Sequence, residues 1–116
     1  MSNSIKYSST RGGESSLSYE DVLLSGLARD GGLFMPEEWP QFSHSDLNEM
    51  KHLSYAELSA KIIRPFVEPC LSENELLNIS KDTYSVFNKD VAPLYQLNKS
   101  LFVLELFHGP TLAFKD

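Results

Sequence analysis

Helix start signals recur along the chain and constrain its fold more than any other feature. Ser54 and Ser72 each precede a glutamate by three residues, the capping-box spacing at which the two residues satisfy each other's free backbone N–H groups. Ser18 precedes Asp21 by the same interval, and a negative charge is favourable in the first turn of a helix. Apolar residues follow each start at helical spacing. The pattern predicts helices over about residues 19–28, 55–66 and 73–84.

Glycine and proline mark the expected ends of these helices, and short strands are predicted between them. Gly31 and Gly32 are expected to stop the first helix, and Pro65 to break or kink the second near its end. Alternation predicts a strand over 5–8 and a turn over 9–13. The remaining predicted elements are an apolar strand over 33–35, ended by Pro36, and a brief helix over 46–51. The leucines and isoleucines of the helices are expected to form the core.

The chain changes character after residue 88. Residues 101–106 are almost entirely apolar and predict a strand buried in a parallel sheet, whereas Pro93 marks 91–97 as an edge segment. Thr111 stands where it would cap a following helix. A buried strand followed by a helix start is half of a βαβ unit, so we expect the chain to break off where an α/β domain begins. In this piece alone, an apolar edge around 101–106 would lack cover and invite association.

Composition and charge argue against several classes of function. The 116 residues are 41% hydrophobic and carry a net charge of −6, which is typical of a globular protein. The absence of a basic patch argues against a nucleic-acid partner, and no apolar run is long enough to span a membrane. Residues 1–10 lack a secretory signal, so we expect a cytoplasmic protein. The single cysteine, Cys70, fits a reducing compartment, has no partners for a zinc site, and is expected to be half-buried.

Lys115 is the residue whose surroundings point to chemistry. It follows a predicted strand, a Gly-Pro turn and the apolar triplet 112–114, and α/β sheets place ligands beyond the carboxyl ends of their strands. Partial desolvation by the triplet would favour the neutral amine, the form that condenses with an aldehyde. Spacing alone leaves open a lysine that is simply solvated in the first turn of a helix.

A longer stretch around this lysine resembles a known family. Residues 104–116, LELFHGPTLAFKD, resemble the pyridoxal-phosphate motif of the threonine synthase family. Three upstream stretches agree in order and approximate spacing: YSSTRG at 7–12, GLARDGGLFMP at 26–36 and LSYAEL at 53–58. The resemblance therefore covers essentially the whole chain, and the segment from His108 to Asp116 is its most specific part.

The resemblance implies both a fold and a reaction. The family has an α/β architecture, pyridoxal-phosphate fold type II, similar to the tryptophan synthase β chain, and this chain would be its α+β N-terminal piece, mostly helical with short strands. Residues 1–90 would form the N-terminal domain, and residues 91–116 would begin the cofactor-binding α/β domain. The family is a carbon–oxygen lyase acting on phosphates. It converts O-phospho-L-homoserine and water to L-threonine and phosphate in threonine biosynthesis.

The resemblance assigns one residue of this chain to the reaction. Lys115 matches the lysine that binds pyridoxal 5'-phosphate covalently and then moves protons at the substrate carbons. No metal site is expected. Structural roles are preferred for six other residues: a helix cap for Thr111, a turn hydrogen bond for His108, helix stabilisation or pairing with a basic group for Asp116, surface ion pairs for Arg11 and Arg29, and loop packing for Trp39. The alternatives are contact with substrate or cofactor for Thr111 or His108, binding of the substrate phosphate for the two arginines, and a ligand platform for Trp39.

Three interpretations of function stay open. The first is threonine synthase, for which these 116 residues alone would be inactive and would bind pyridoxal phosphate only weakly, because the family's phosphate-binding loop lies outside them. The second is a threonine-synthase-like phospho-lyase that eliminates phosphate without forming threonine. The third is a non-catalytic interaction module descended from the same domain. Nothing in the sequence decides the oligomeric state.

Overall fold

The computed structural model describes residues 4–116, so residues 1–3 of the predicted domain 1–90 lie outside the described part. Within that part the chain is an α+β piece of helices and short strands, as predicted. The elements in chain order are β1 (Tyr7–Ser9), α1 (Tyr19–Ser25), β2 (Phe34–Pro36), α2 (His44–Met50), α3 (Tyr55–Val67), α4 (Glu73–Ser85), β3 (Leu94–Gln96) and β4 (Phe102–Leu104).

Each of the four helices begins at a serine that forms a capping box. The serine hydroxyl accepts a hydrogen bond from the backbone N–H three residues on, and the acidic side chain there accepts one from the serine N–H. The same bonds hold the pKa values of Asp21, Asp46, Glu57 and Glu75 below their ordinary range. The three predicted starts are confirmed. The fourth cap, Ser43, starts α2 two residues earlier than the predicted Asp46.

The helix ends depart from prediction in two places. Helix α1 stops at Ser25 because Gly26 takes φ +71° and donates its N–H to the Val22 carbonyl at 3.0 Å. The predicted stop at Gly31 and Gly32 is therefore wrong, since an earlier glycine already accepts a positive φ. Pro65 lies inside α3 and does not break it, because the helix continues to Val67.

The core is built where α3 and α4 pack together. Ala60, Val67 and Leu76 are buried there, and partly buried neighbours complete the cluster: Tyr19, Phe66, Leu71 and Leu77. Helix α1 reaches this core through Tyr19. The leucines of the predicted helix 19–28, expected to be core, are exposed in the described structure by 60%, 81% and 61% at Leu23, Leu24 and Leu27, the last of which lies beyond the end of α1. Ile63 and Ile79 are 38% and 50% exposed.

A two-stranded antiparallel sheet joins β1 to β2 and contacts α3 through Tyr7. Its register pairs Tyr7 with Pro36 and Ser9 with Phe34, so Pro36 closes the predicted strand. Tyr7 is buried, and its hydroxyl donates a hydrogen bond of 2.5 Å to the carbonyl of Phe66. Burial raises the pKa of Tyr7. This partly buried hydrogen bond connects the N-terminal sheet to the helical core.

The second sheet is a separate antiparallel hairpin. Leu94 pairs with Leu104, and Gln96 with Phe102, across a turn in which Leu97 donates its N–H to the Leu101 carbonyl at 2.9 Å. Both strands are exposed throughout. The predicted buried, parallel strand is therefore wrong for the described residues: β3, the expected edge segment, is its partner, and antiparallel pairing needs only a short turn where parallel pairing needs a long crossover. The expected exposed apolar edge is present.

Two single residues complete the comparison with the sequence. Trp39 packs edge-on against Phe66 with ring centroids 6.0 Å apart, the loop packing expected of it, while 58% of its surface stays exposed. Cys70 is exposed rather than half-buried, because it follows the end of α3 on the turn that leads to α4. Across residues 4–116, no helix is long and apolar enough to cross a membrane. No group of His, Cys, Asp or Glu suited to hold a metal ion occurs in the same range.

Candidate active site

The segment that carries Lys115 is a series of turns and not the predicted helix. Leu112 has φ +58°, a left-handed conformation that a right-handed helix cannot contain. The Leu112 N–H donates to the Gly109 carbonyl at 3.1 Å, and the Asp116 N–H donates to the Ala113 carbonyl at 3.3 Å. The prediction that Thr111 caps a helix is therefore wrong. Residues 109–116 are called the lysine loop below.

His108 joins the end of β4 to the lysine loop. Its Nε2 lies 2.6 Å from Oε2 of Glu105, and the two side chains are only 14% and 28% exposed. The imidazole also contacts the ring of Phe107, with centroids 4.6 Å apart. This arrangement confirms the structural turn hydrogen bond expected of His108. The sequence interpretation did not identify Glu105 as its partner, although a spacing of three residues is compatible with that contact.

Asp116 closes the lysine loop by binding Thr111. Its Oδ2 accepts the Thr111 N–H at 2.8 Å, and its Oδ1 accepts the Thr111 hydroxyl in a short hydrogen bond. These bonds, led by that from the Thr111 hydroxyl, hold the pKa of Asp116 below its ordinary range. The expected structural role of Asp116 is confirmed, but it acts on a loop and not on a helix N-terminus or a basic side chain.

Lys115 extends from the closed loop into solvent. The residue is exposed, and its Nζ lies 6.0 Å from the ring centroid of Phe114. Leu112 and Phe114 are themselves 75% and 73% exposed. The expected desolvation by the apolar triplet is therefore not found in the described structure. The amine is accessible to a reacting partner.

A small cavity adjoins the lysine loop. Its volume is about 90 Å³, and the lining residues are Tyr55, Phe87, Val91, Ala92, Leu106, Gly109, Phe114 and Asp116. Pockets for small organic ligands typically measure about 300–1,000 Å³, and Lys115 is absent from this lining. Residues 4–116 thus position the lysine without enclosing a cofactor beside it.

Arg11 and Arg29, the two arginines considered for binding the substrate phosphate, make structural contacts within the described residues. Arg29 Nε lies 3.7 Å from Oε1 of Glu14, the surface ion pair that was expected. Arg11 Nη1 donates to the main-chain carbonyl of Asp30 at 3.0 Å and so braces a turn in place of forming the expected ion pair. Exposed contacts of this kind contribute little to stability.

Comparison with known proteins places the whole arrangement in a family. The model of the threonine synthase N terminus matches residues 6–84. The threonine synthase of Pseudomonas aeruginosa is 50% identical over 113 residues, which are 97% of this chain and 24% of that protein. The threonine synthase of Schizosaccharomyces pombe is 42% identical over 118 residues, covering all of this chain and 23% of that protein.

The chain belongs to the threonine synthase family.

Solved threonine synthases share its fold. The pyridoxal-phosphate-bound threonine synthase from Brucella melitensis superposes with a TM-score of 0.91 at 44% identity, over 97% of this chain and 24% of that one. The yeast threonine synthase gives a TM-score of 0.85 at 36% identity, over 99% and 24%. The implied fold class is confirmed: this chain is an α+β N-terminal piece of the fold type II architecture of threonine synthase.

The chain spans about a quarter of the length of the curated threonine synthases that it matches. The family match covers residues 6–84, inside the predicted domain 1–90, and the boundary at residue 90 stays a prediction. The role of Lys115 is likewise a prediction.

Proposed function

We propose that the protein containing this chain is a threonine synthase, which converts O-phospho-L-homoserine and water to L-threonine and phosphate. The observation that carries the proposal is 50% identity with the Pseudomonas aeruginosa threonine synthase over 97% of this chain. The likeness to a pyridoxal-phosphate-bound threonine synthase, with a TM-score of 0.91, supports it. Since the chain spans about a quarter of these relatives, the activity belongs to the whole protein and not to the 116 residues alone.

Lys115 is the residue of this chain proposed to hold pyridoxal 5'-phosphate. An accessible primary amine on a loop held by its own hydrogen bonds fits covalent attachment to the cofactor's aldehyde. When bound, the cofactor supplies an electron sink for negative charge at the substrate carbons. The freed amine of Lys115 then acts as acid and base at those carbons. Enclosure of the amine, which residues 4–116 do not provide, falls to the other three-quarters of the protein.

The remaining expectations follow from this proposal. Residues 1–90 form the N-terminal domain, and residues 91–116 begin the cofactor-binding domain. The enzyme acts as a lyase on a phosphorylated small molecule in threonine biosynthesis, and its place of action is the cytoplasm. The exposed hairpin β3–β4 supports the division, because it packs little against the helices and leaves its apolar side chains uncovered.

The test compares two single-lysine variants of the complete protein. Lys115→Ala is expected to abolish threonine formation from O-phospho-L-homoserine and to remove the cofactor link that borohydride reduction and peptide mass spectrometry detect. Lys99→Ala is the matched control, because Lys99 is an exposed lysine on the turn between β3 and β4, and it should retain both. Wild-type turnover and an intact cofactor link in Lys115→Ala would overturn the assignment.

The second candidate function, a threonine-synthase-like phospho-lyase that eliminates phosphate without forming threonine, has an observation in its favour. The human and Xenopus laevis proteins named threonine synthase-like 2 are 42% and 39% identical to this chain over 95% and 97% of its length. The same assay separates the phospho-lyase from threonine synthase, because phosphate release without matching threonine identifies the phospho-lyase. If the complete protein released neither phosphate nor threonine, the interpretation as a non-catalytic interaction module would be supported.

A further inference from the structure

The lysine loop is closed by the residue that directly follows the lysine. Both carboxylate oxygens of Asp116 are bound by Thr111, one by its backbone N–H at 2.8 Å and the other by its hydroxyl. The donor stands four residues before Lys115, and the acceptor stands one residue after it. The lysine is thereby held inside a ring of hydrogen bonds formed within its own loop.

Gly109 makes this closure possible. Gly109 is buried, and a Cβ placed on it would lie 2.3 Å from Cβ of Asp116 and 2.5 Å from its Oδ2. The Asp116 side chain therefore occupies the space that any other residue at position 109 would need. The backbone bond from Leu112 to Gly109, at 3.1 Å, closes the first half of the loop against the same glycine.

The closure acts on the backbone of Lys115 and not on its amine. Lys115 has an exposed side chain, and none of the described hydrogen bonds or ion pairs involves its Nζ. With Asp116 anchored to Thr111, the loop sets the position of the Lys115 Cα and the direction of its Cα–Cβ bond. The hydrogen bonds from Thr111, that of its hydroxyl first, lower the pKa of Asp116 and so favour the ionised carboxylate that accepts them.

We propose that Asp116, anchored by Thr111, is a positioning residue for the amine of Lys115. The proposal rests on the proposed function, in which that amine binds pyridoxal phosphate and moves protons. Both tasks depend on placing one nitrogen within hydrogen-bond reach of its target, and a misplacement of about 1 Å can cost on the order of 100-fold in rate. In this role Asp116 acts through Thr111 and the backbone of the loop and not by contact with substrate or cofactor.

The experiment removes and restores the anchoring hydroxyl in the complete protein. Thr111→Val keeps the side-chain volume and the backbone N–H but loses the bond to Oδ1 of Asp116. It is expected to lower kcat about 10- to 100-fold with little change in KM. It should also slow, by a similar factor, the growth of the absorbance band when cofactor-free protein is mixed with pyridoxal phosphate. Thr111→Ser restores the hydroxyl and should return both rates to near the wild-type values.

Two further variants make the result decisive. Ser100→Ala removes a hydroxyl from the neighbouring hairpin turn, where it contacts the Asn98 side chain at 3.4 Å, and should change neither rate. Asp116→Ala should match Thr111→Val, and Thr111→Val carries the test alone if the alanine variant does not fold. Wild-type kcat and band growth in a folded Thr111→Val protein would overturn the inference, as would failure of serine to rescue.

The outcome also distinguishes this inference from the proposed function. If Lys115→Ala loses the cofactor link while Thr111→Val behaves as wild type, only the positioning role fails. If Lys115→Ala keeps the link, the proposed function fails first, and the positioning role fails with it.

Discussion

At the scale of single residues, Asp30 is the group that organises the N-terminal loops. Its carboxylate accepts hydrogen bonds from the Ser9 hydroxyl at 2.7 and 2.8 Å and from the N–H groups of Gly13 and Gly32 at 2.8 Å each. A Cβ on Gly13 would lie 2.6 Å from Oδ2 of Asp30, and one on Gly32 would lie 2.2 Å from the Ser9 hydroxyl and 2.9 Å from Oδ1 of Asp30. Close approach to the Asp30 carboxylate, and at Gly32 first to the Ser9 hydroxyl bound to it, therefore explains why both loop positions are glycine.

These hydrogen bonds predict a pH-dependent contribution of Asp30 to stability. The Ser9 hydroxyl first, then the Gly32 N–H, lower the pKa of Asp30 from its ordinary 3.8. A carboxyl whose pKa is lower in the folded than in the unfolded state stabilises the fold above the unfolded value. That contribution disappears as the pH falls through the folded value. Asp30→Asn should therefore be less stable than wild type at pH 7, and the gap should close as the pH falls below about 4.

Urea denaturation between pH 7 and pH 3 measures this gap. Glu38→Gln is the matched control, because Glu38 is exposed and its side chain makes no hydrogen bond within the described residues, and its curve should follow wild type. A gap between Asp30→Asn and wild type that is the same at pH 7 and pH 3 would contradict the charge-based account.

At the residue scale the sequence was informative about Lys115 and incomplete about its surroundings. The motif around Lys115 can be recognised in the sequence because its residues are adjacent in the chain. The hydrogen-bond partners of Asp30 cannot, since Ser9 is 21 residues away and lies beside the carboxylate through the pairing of β1 with β2. The residues around position 30 do not predict which hydroxyl group donates a hydrogen bond to Asp30.

At the scale of elements, the helices are defined by local signals and stabilised by one tertiary contact. All four begin at a serine capping box whose cap and partner are three residues apart, and three of these starts are predicted from that spacing. Ser43 and Asp46 have the same spacing, and that start was missed. Most helical stability in proteins comes from packing and not from caps. Here that packing is concentrated between α3 and α4, around the buried residues Ala60, Val67 and Leu76.

The contrast between two leucines tests this view of the helices. Leu76 on α4 is 5% exposed and Leu24 on α1 is 81% exposed. Leu76→Ala should lower the free energy of unfolding by about 2–5 kcal/mol, through lost burial and the cavity it leaves. Leu24→Ala, the same chemical change, should alter it by less than about 0.5 kcal/mol. Denaturant midpoints measured by circular dichroism give both values.

Equal losses for the two leucine variants would show that α1 is buried against something that residues 4–116 do not provide. If Leu76→Ala left the free energy of unfolding nearly unchanged, the α3–α4 contact would not be the main core.

At the scale of the whole molecule, the chain consists of a helical unit and an exposed hairpin with the lysine loop. The helical unit is tied together by α3 and α4 and by the Tyr7 hydroxyl bond to Phe66. The hairpin β3–β4 is exposed along both strands, and an isolated two-stranded hairpin is marginal in water. The proposed division at residue 90 falls between these two parts.

This division predicts that the helical unit folds without the hairpin. A chain of residues 1–90 should show the helical circular dichroism of residues 1–116 and melt within about 4 °C of it, a difference of less than about 1 kcal/mol for a unit of this size. In the longer chain, backbone amides of α3 and α4 should resist hydrogen exchange more than those of β3 and β4. Loss of the helical signal on truncation would show that the hairpin belongs to the same folding unit.

The sequence by itself determined three of the four helix starts, the α+β character of the piece, its family and the lysine on which the proposed chemistry depends. The helix starts and the lysine motif depend on residues within a few positions of one another, and in a capping box the spacing sets the hydrogen-bond geometry. Tertiary structure alone decided that the leucines of α1 face solvent and that the apolar strand after residue 100 pairs with β3. Both outcomes depend on which surfaces meet, and a leucine carries no local mark of the partner that tertiary packing brings to it.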